Sequence, residues 1–174
     1  AGFASGSAGP GEEALDFMLG LRDEQRAPNE LLEATVLSRH TGAVRRSAIS
    51  QRLSLIGRYL RNNRYELKVS SEKRDGDLAA VTINAVSSQD PLEVDVFGLG
   101  LCNRGADGWA VAPVPGSFDN VDLGFDQALE ERADALELWM GKERLLKLRE
   151  LEDEVLEGLR MRMKKAEPAA LEAA

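Results

Sequence analysis

Cysteine and histidine each occur only once in this chain of 174 residues, as Cys102 and His40. One cysteine excludes an intramolecular disulfide, and one of each leaves no ligand spacing for a zinc site. Cys102 falls in an apolar strand pattern and reads as a small buried hydrophobe rather than a reactive thiol. The carboxylates that remain would suit Ca²⁺ or Mg²⁺, yet none follows a calcium-loop spacing, so no metal and no cofactor is expected. Cations are outnumbered: 22 Lys and Arg face 30 Asp and Glu, for a net charge of -8 and a pI near 4.8. That balance excludes whole-molecule binding to nucleic acid, whose phosphates need a cationic field. No apolar run approaches the ~20 residues of a membrane-spanning helix, so no transmembrane segment is expected.

What is present is a globular composition, 43% hydrophobic and 30% charged. Its mass of 19.0 kDa fits one domain with an extension. Residues 1–11 are small and read as a flexible tail or linker, and composition fits a mature exported chain and a cytosolic fragment equally. From Glu12 to Leu21 the spacing of Leu15, Met18 and Leu19 predicts a short amphipathic helix. Pro28-Asn29 breaks it, and Asn29 is a fair cap for a helix over Glu30–Ala34. A further helix is predicted from Ser47 to Asn62, with Ile49, Leu53, Ile56 and Leu60 on one stripe.

Beyond Asn62 the period switches to two. Tyr65, Leu67 and Val69 alternate with polar residues, and Asp75-Gly76 signals a hairpin into Ala79–Val86. Leu92–Cys102 and Trp109–Val114 complete four strands in antiparallel meander. The glycines at 98 and 100 suggest a bulge rather than a phosphate loop, because strand residues flank them on both sides. Helices before a meander give an α+β fold with helices on one face. Ile49, Leu53, Ile56 and Leu60 are expected to pack against Val81, Ile83, Val94 and Val96. Residues 125–166 read as a long amphipathic helix carrying Leu138, Leu145, Leu148, Leu151, Val155 and Leu159, which either breaks near Gly141 or projects; residues 167–174 read as a frayed tail.

The turn and strand Asp75-Gly76-Asp77-Leu78-Ala79-Ala80-Val81-Thr82 and the terminal Asp107-Gly108-Trp109-Ala110-Val111-Ala112-Pro113 follow the helices in a set order. In this the chain resembles the NTF2-like (cystatin-cone) superfamily, and within it the secreted or lipoprotein-type branches. The resemblance covers roughly Glu12 to Val121, within a domain expected over residues 12–124. It implies N-terminal helices packed on a curved, cone-like antiparallel meander sheet, with the long C-terminal helix outside the likeness. It implies a periplasmic or secreted location and no particular activity, since that fold hosts enzymes, ligand binders and scaffolds alike.

Each chemical candidate has a plainer alternative. His40 beside Arg39 and Thr41 reads as a helix-end residue, a favourable place for imidazolium. Glu93 and Asp95 share one face of a strand. Val94 and Val96 supply the apolar face, so the two acids are expected in water; Asp95 is the better acid–base candidate if that face lines a pocket. Between Ala34 and Tyr65 stand Arg39, Arg45, Arg46, Arg52, Arg58, Arg61 and Arg64 with no acidic residue. They pair internally, with the acid-rich start of the C-terminal helix or a partner chain, or they grip an anion. The function these features favour is non-catalytic protein contact or assembly, with a homodimer or a partner protein held through the C-terminal helix. A carrier of a small apolar ligand, lined by Phe97, Leu99, Leu101 and Trp109, is the alternative; a cone-pocket hydrolase or isomerase using Asp95 is third.

Overall fold

The computed structural model describes residues 9–24, 47–62, 64–90, 94–105, 108–117 and 125–173, with backbone only at several positions, including 138, 139 and 158–173. Helix α1 spans Pro10–Asp23, α2 Ser47–Asn62, α3 Phe125–Met140 and α4 Lys142–Ala173. The strands are β1 Tyr65–Asp75, β2 Leu78–Ser87, β3 Val94–Asn103 and β4 Trp109–Ser117. The helix expected over Glu30–Ala34 lies outside the described residues.

Helix α1 has proline in its first turn with Glu12 and Glu13, and Arg22 in its last, the charge order its dipole favours. It begins inside the expected tail. Pro10 and Gly11 are buried, and the Gly11 N–H donates to Glu72 Oε1 at 2.9 Å, tying the helix start to β1. The α2 stripe forms as its spacing predicts: Ile49, Leu53, Ile56 and Leu60 are all buried.

The four strands pair antiparallel in the order β1-β2-β3-β4, an open meander with β1 and β4 at its edges. Ile83 stands opposite Phe97, Val81 opposite Leu99 and Ala79 opposite Leu101. Helix α1 lies across that face, with α2 packed beside it against β4. The other face carries Ala80, Thr82 and Asn84 opposite Gly100, Gly98 and Val96. Helix α4 covers it, and α3 packs on β4 while touching both α2 and α4.

Helices on both faces correct the one-sided expectation. The second face is built from small residues, so it does not read as apolar, yet β3 is buried from Asp95 to Cys102 without alternation. Strand parity also corrects the partners expected for α2. Val81 and Ile83 share its core, whereas Val96 points to the α4 face and Val94 is half-buried on that same side.

The helix expected over 125–166 is two helices. Gly141 takes φ +86°, which only glycine adopts without strain. Its N–H still donates to Glu137 O, and its carbonyl accepts from Leu145 N, so α4 restarts at once after the break. Leu145, Leu148, Leu151 and Val155 are buried on the domain's own sheet, and need no second chain to cover them. The side chains of Leu138, Trp139 and Leu159 lie outside the described set.

Because Ile56 is 2% exposed between α1 and the sheet core, Ile56→Ala should cost about 2–5 kcal/mol of unfolding free energy in urea denaturation. A loss under ~1 kcal/mol would show that α2 is loosely packed.

Candidate functional site

Phe97, Leu99 and Leu101 lie on one face of β3, and Trp109 begins β4 opposite Asn103. All four are buried in the main hydrophobic core. Trp109 keeps a thin exposed margin, where the Arg74 guanidinium stacks 5.4 Å from its ring centre.

Asp95 shares their face and is 1% exposed, where water was expected. Its Oδ1 accepts the Val96 N–H at 2.8 Å. The parity of β3 explains the difference, because residues 95, 97, 99 and 101 point together and three of them are large hydrophobes. Glu93 and His40 lie outside the described residues.

The Gly98-x-Gly100 stretch is strand, with the β3–β4 register shifting between the two glycines, as the bulge reading predicts. Its further role is space. A Cβ on Gly98 would lie 2.8 Å from Leu156 Cγ, and one on Gly100 would lie 2.9 Å from both Arg132 Nη2 and Glu152 Cδ. Into that space α3 and α4 place an ion pair: Arg132 Nη2 donates to Glu152 Oε1 at 2.8 Å, with the side chains 1% and 11% exposed. Among the described residues, Arg132 Nε is buried without a hydrogen-bond partner. A small cavity of about 120 Å³ adjoins the pair, lined by Val114, Leu129, Arg149 and Asp153 among others.

Burial is the first cause that raises the Glu152 carboxyl above its ordinary value, and the Arg132 charge opposes it. Beside them the Cys102 thiol is pushed up to about 12 by burial, so it stays a protonated thiol at neutral pH. The cluster therefore acts as a clamp that holds α3 and α4 on β3. The sequence reading did not single out Arg132 or Glu152, which sit among many charges. The available signal was two glycines of equal parity in a strand, a mark of close approach.

Outside the clamp, α4 is laced to the β1–β2 hairpin by Arg144–Asp77, Lys147–Asp75 at 3.0 Å, and Lys73–Glu154. Such exposed pairs contribute roughly 0–1 kcal/mol each and serve mainly to fix the helix register. The arginine-rich segment divides. Arg52 is buried, Arg58 is exposed, and Arg61 donates to the Leu21 and Arg22 carbonyls while pairing with Glu24. Arg61 thus complements the C-terminus of α1 instead of the start of α3. Arg39, Arg45 and Arg46 lie outside the described residues.

No protein-family model matches this chain, and no curated protein matches it at significance.

Removing one half of the clamp leaves a buried charge, so Arg132→Met should lose about 3–5 kcal/mol at neutral pH, while Arg132→Met with Glu152→Leu regains most of that. A carboxyl with a raised folded-state value favours the fold below its unfolded value, and that favour is lost as pH rises through the folded value. The Arg132→Met deficit should accordingly shrink as pH falls towards the ordinary carboxyl value of 4.5. Urea denaturation across that pH range checks both; a deficit independent of pH would contradict the clamp.

Proposed function

We propose that this chain is a non-catalytic contact module of the NTF2-like type, assembling as a homodimer through the distal half of α4. The observation that carries the reading is the reach of that helix. Its 32 residues span roughly 48 Å. The last of its described side chains placed against the sheet is Leu156, over Gly98. From Glu157 to Ala173 a further ~25 Å of helix continues.

Charge along α4 is self-complementary about Gly158. Glu150, Asp153 and Glu154 are exposed on the proximal side, and Arg160, Arg162, Lys164 and Lys165 follow on the distal side. Two copies crossing antiparallel near Gly158 would set each basic run beside the partner's acidic run, the isologous arrangement a twofold axis requires. The export implied by the resemblance belongs to the same proposal.

The carrier alternative has less support, because Phe97, Leu99 and Leu101 are packed within the core rather than around an open hollow. An acid–base role for Asp95 asks for contact with substrate, and its burial at 1% exposure argues against that.

Sedimentation velocity at micromolar concentration tests the proposal. The full chain is expected to sediment as a dimer that weakens at ~1 M salt, where the Debye length falls to about 3 Å. A chain ending at Glu157 should be monomeric with its circular dichroism otherwise retained. A full chain that stays monomeric in low salt would overturn the dimer.

A further inference from the structure

Helices α1 and α2 end side by side, and the chain leaves α2 directly into β1. At this junction an open cleft of about 280 Å³ is lined by Arg22, Asp23, Arg61, Arg64, Glu66 and Ser88, with Leu60 and Tyr65 behind them. Two of the three guanidiniums are held in place. Arg22 Nη1 donates to Tyr65 O at 3.2 Å, and Arg22 Nε to Asp23 Oδ1 at 2.7 Å. Arg61 Nη1 donates to Leu21 O at 2.9 Å, and its Nη2 pairs with Glu24 at 2.9 Å.

Arg64 is different. It stands at φ +51°, a left-handed conformation that suits glycine or asparagine and strains a longer side chain. Asparagine occupies both preceding positions, 62 and 63, yet the strained position carries arginine. The Arg64 N–H donates to Arg61 O, and its carbonyl accepts from Ser88 N, each at 3.1 Å, which fixes the backbone. Among the described residues nothing pairs with its guanidinium. The strained backbone thus holds, at the cleft wall, a cation that no described residue pairs with.

We infer that this cleft binds a phosphate group, held by Arg22, Arg61 and Arg64. Asp23 is taken up by Arg22 and Glu24 by Arg61, which leaves Arg64 as the arginine of the wall with no ion pair among the described residues. Three guanidiniums lining one cleft suit the terminal oxygens of a phosphate monoester, whose dianion matches the fork geometry of arginine. Stacking of nucleic-acid bases is disfavoured here, because Tyr65 is buried and its ring lies 5.2 Å from that of Tyr59, with the two hydroxyls bonded at 2.9 Å. The site is independent of the α4 interface.

Thermal unfolding of the full chain in sodium phosphate, against sodium chloride at matched ionic strength, tests it. A saturable rise in Tm with phosphate is expected for the wild type. Arg64→Gly removes the charge and relieves the strain, so its Tm in chloride should equal or exceed the wild type's, while its apparent phosphate affinity falls at least about tenfold. Phenyl phosphate and phosphatidylcholine vesicles doped with phosphatidic acid identify the source: an Arg64-dependent response to the first marks a soluble monoester, and one confined to the vesicles marks a lipid headgroup. Equal Tm in both salts for the wild type, or an Arg64→Gly variant that responds to phosphate like the wild type, would overturn the site.

Discussion

On the α4 side of the sheet, β3 presents backbone where neighbouring strands present side chains. Gly98 and Gly100 let Leu156 and the Arg132–Glu152 pair come within contact distance of the strand itself. A buried pair of this kind contributes little net stability, since desolvation offsets most of the attraction. Its geometry is nonetheless specific. One partner comes from α3 and the other from α4, and both must meet over Gly100 for either charge to be compensated. The position of two helices is therefore tied to one residue of one strand, and any slip of register between them would strand a charge in the interior.

Much else follows from that attachment. With α4 on one face and α1 on the other, β2 and β3 are buried on both sides, which is unusual for a short antiparallel meander. The two edges are managed differently. Helix α3 packs on β4, whose sequence also carries Pro113 and Pro115, residues that lack the N–H a further strand would need. Edge β1 keeps an alternating run of exposed Glu66, Lys68 and Ser70, followed by Glu72 and Arg74, a composition that discourages pairing with another chain. The contact between copies proposed above falls to the distal part of α4, away from either sheet edge.

The sequence was most legible where periodicity was strong. The α2 stripe and the meander order are written in spacing alone, and the Asp75-Gly76 turn marks the hairpin between β1 and β2. It was least legible where small residues do structural work. Ala80, Thr82, Gly98 and Gly100 look neither apolar nor polar in pattern, so the covered second face left no signature. Asp95 was readable, because it shares parity with Phe97, Leu99 and Leu101; giving weight to the valines on either side of it suggested the opposite face. Arg132 and Glu152 are twenty residues apart on different helices, and no local pattern can pair them. Arg64 was visible only as one of seven arginines, since its backbone conformation depends on how α2 ends.

The central claim is that α4 is an integral layer of the domain from Leu145 to Leu156, held by the clamp on β3. Native-state amide hydrogen exchange reads this directly, because a docked layer opens only with the whole fold, whereas a loosely attached helix opens on its own. The amides of Leu148 to Leu156 are expected to exchange with the same opening free energy as those of Val81, Ile83 and Leu99. Exchange of the α4 amides at a distinctly lower free energy, with β2 and β3 still protected, would contradict the account and leave the second face of the sheet without a fixed cover.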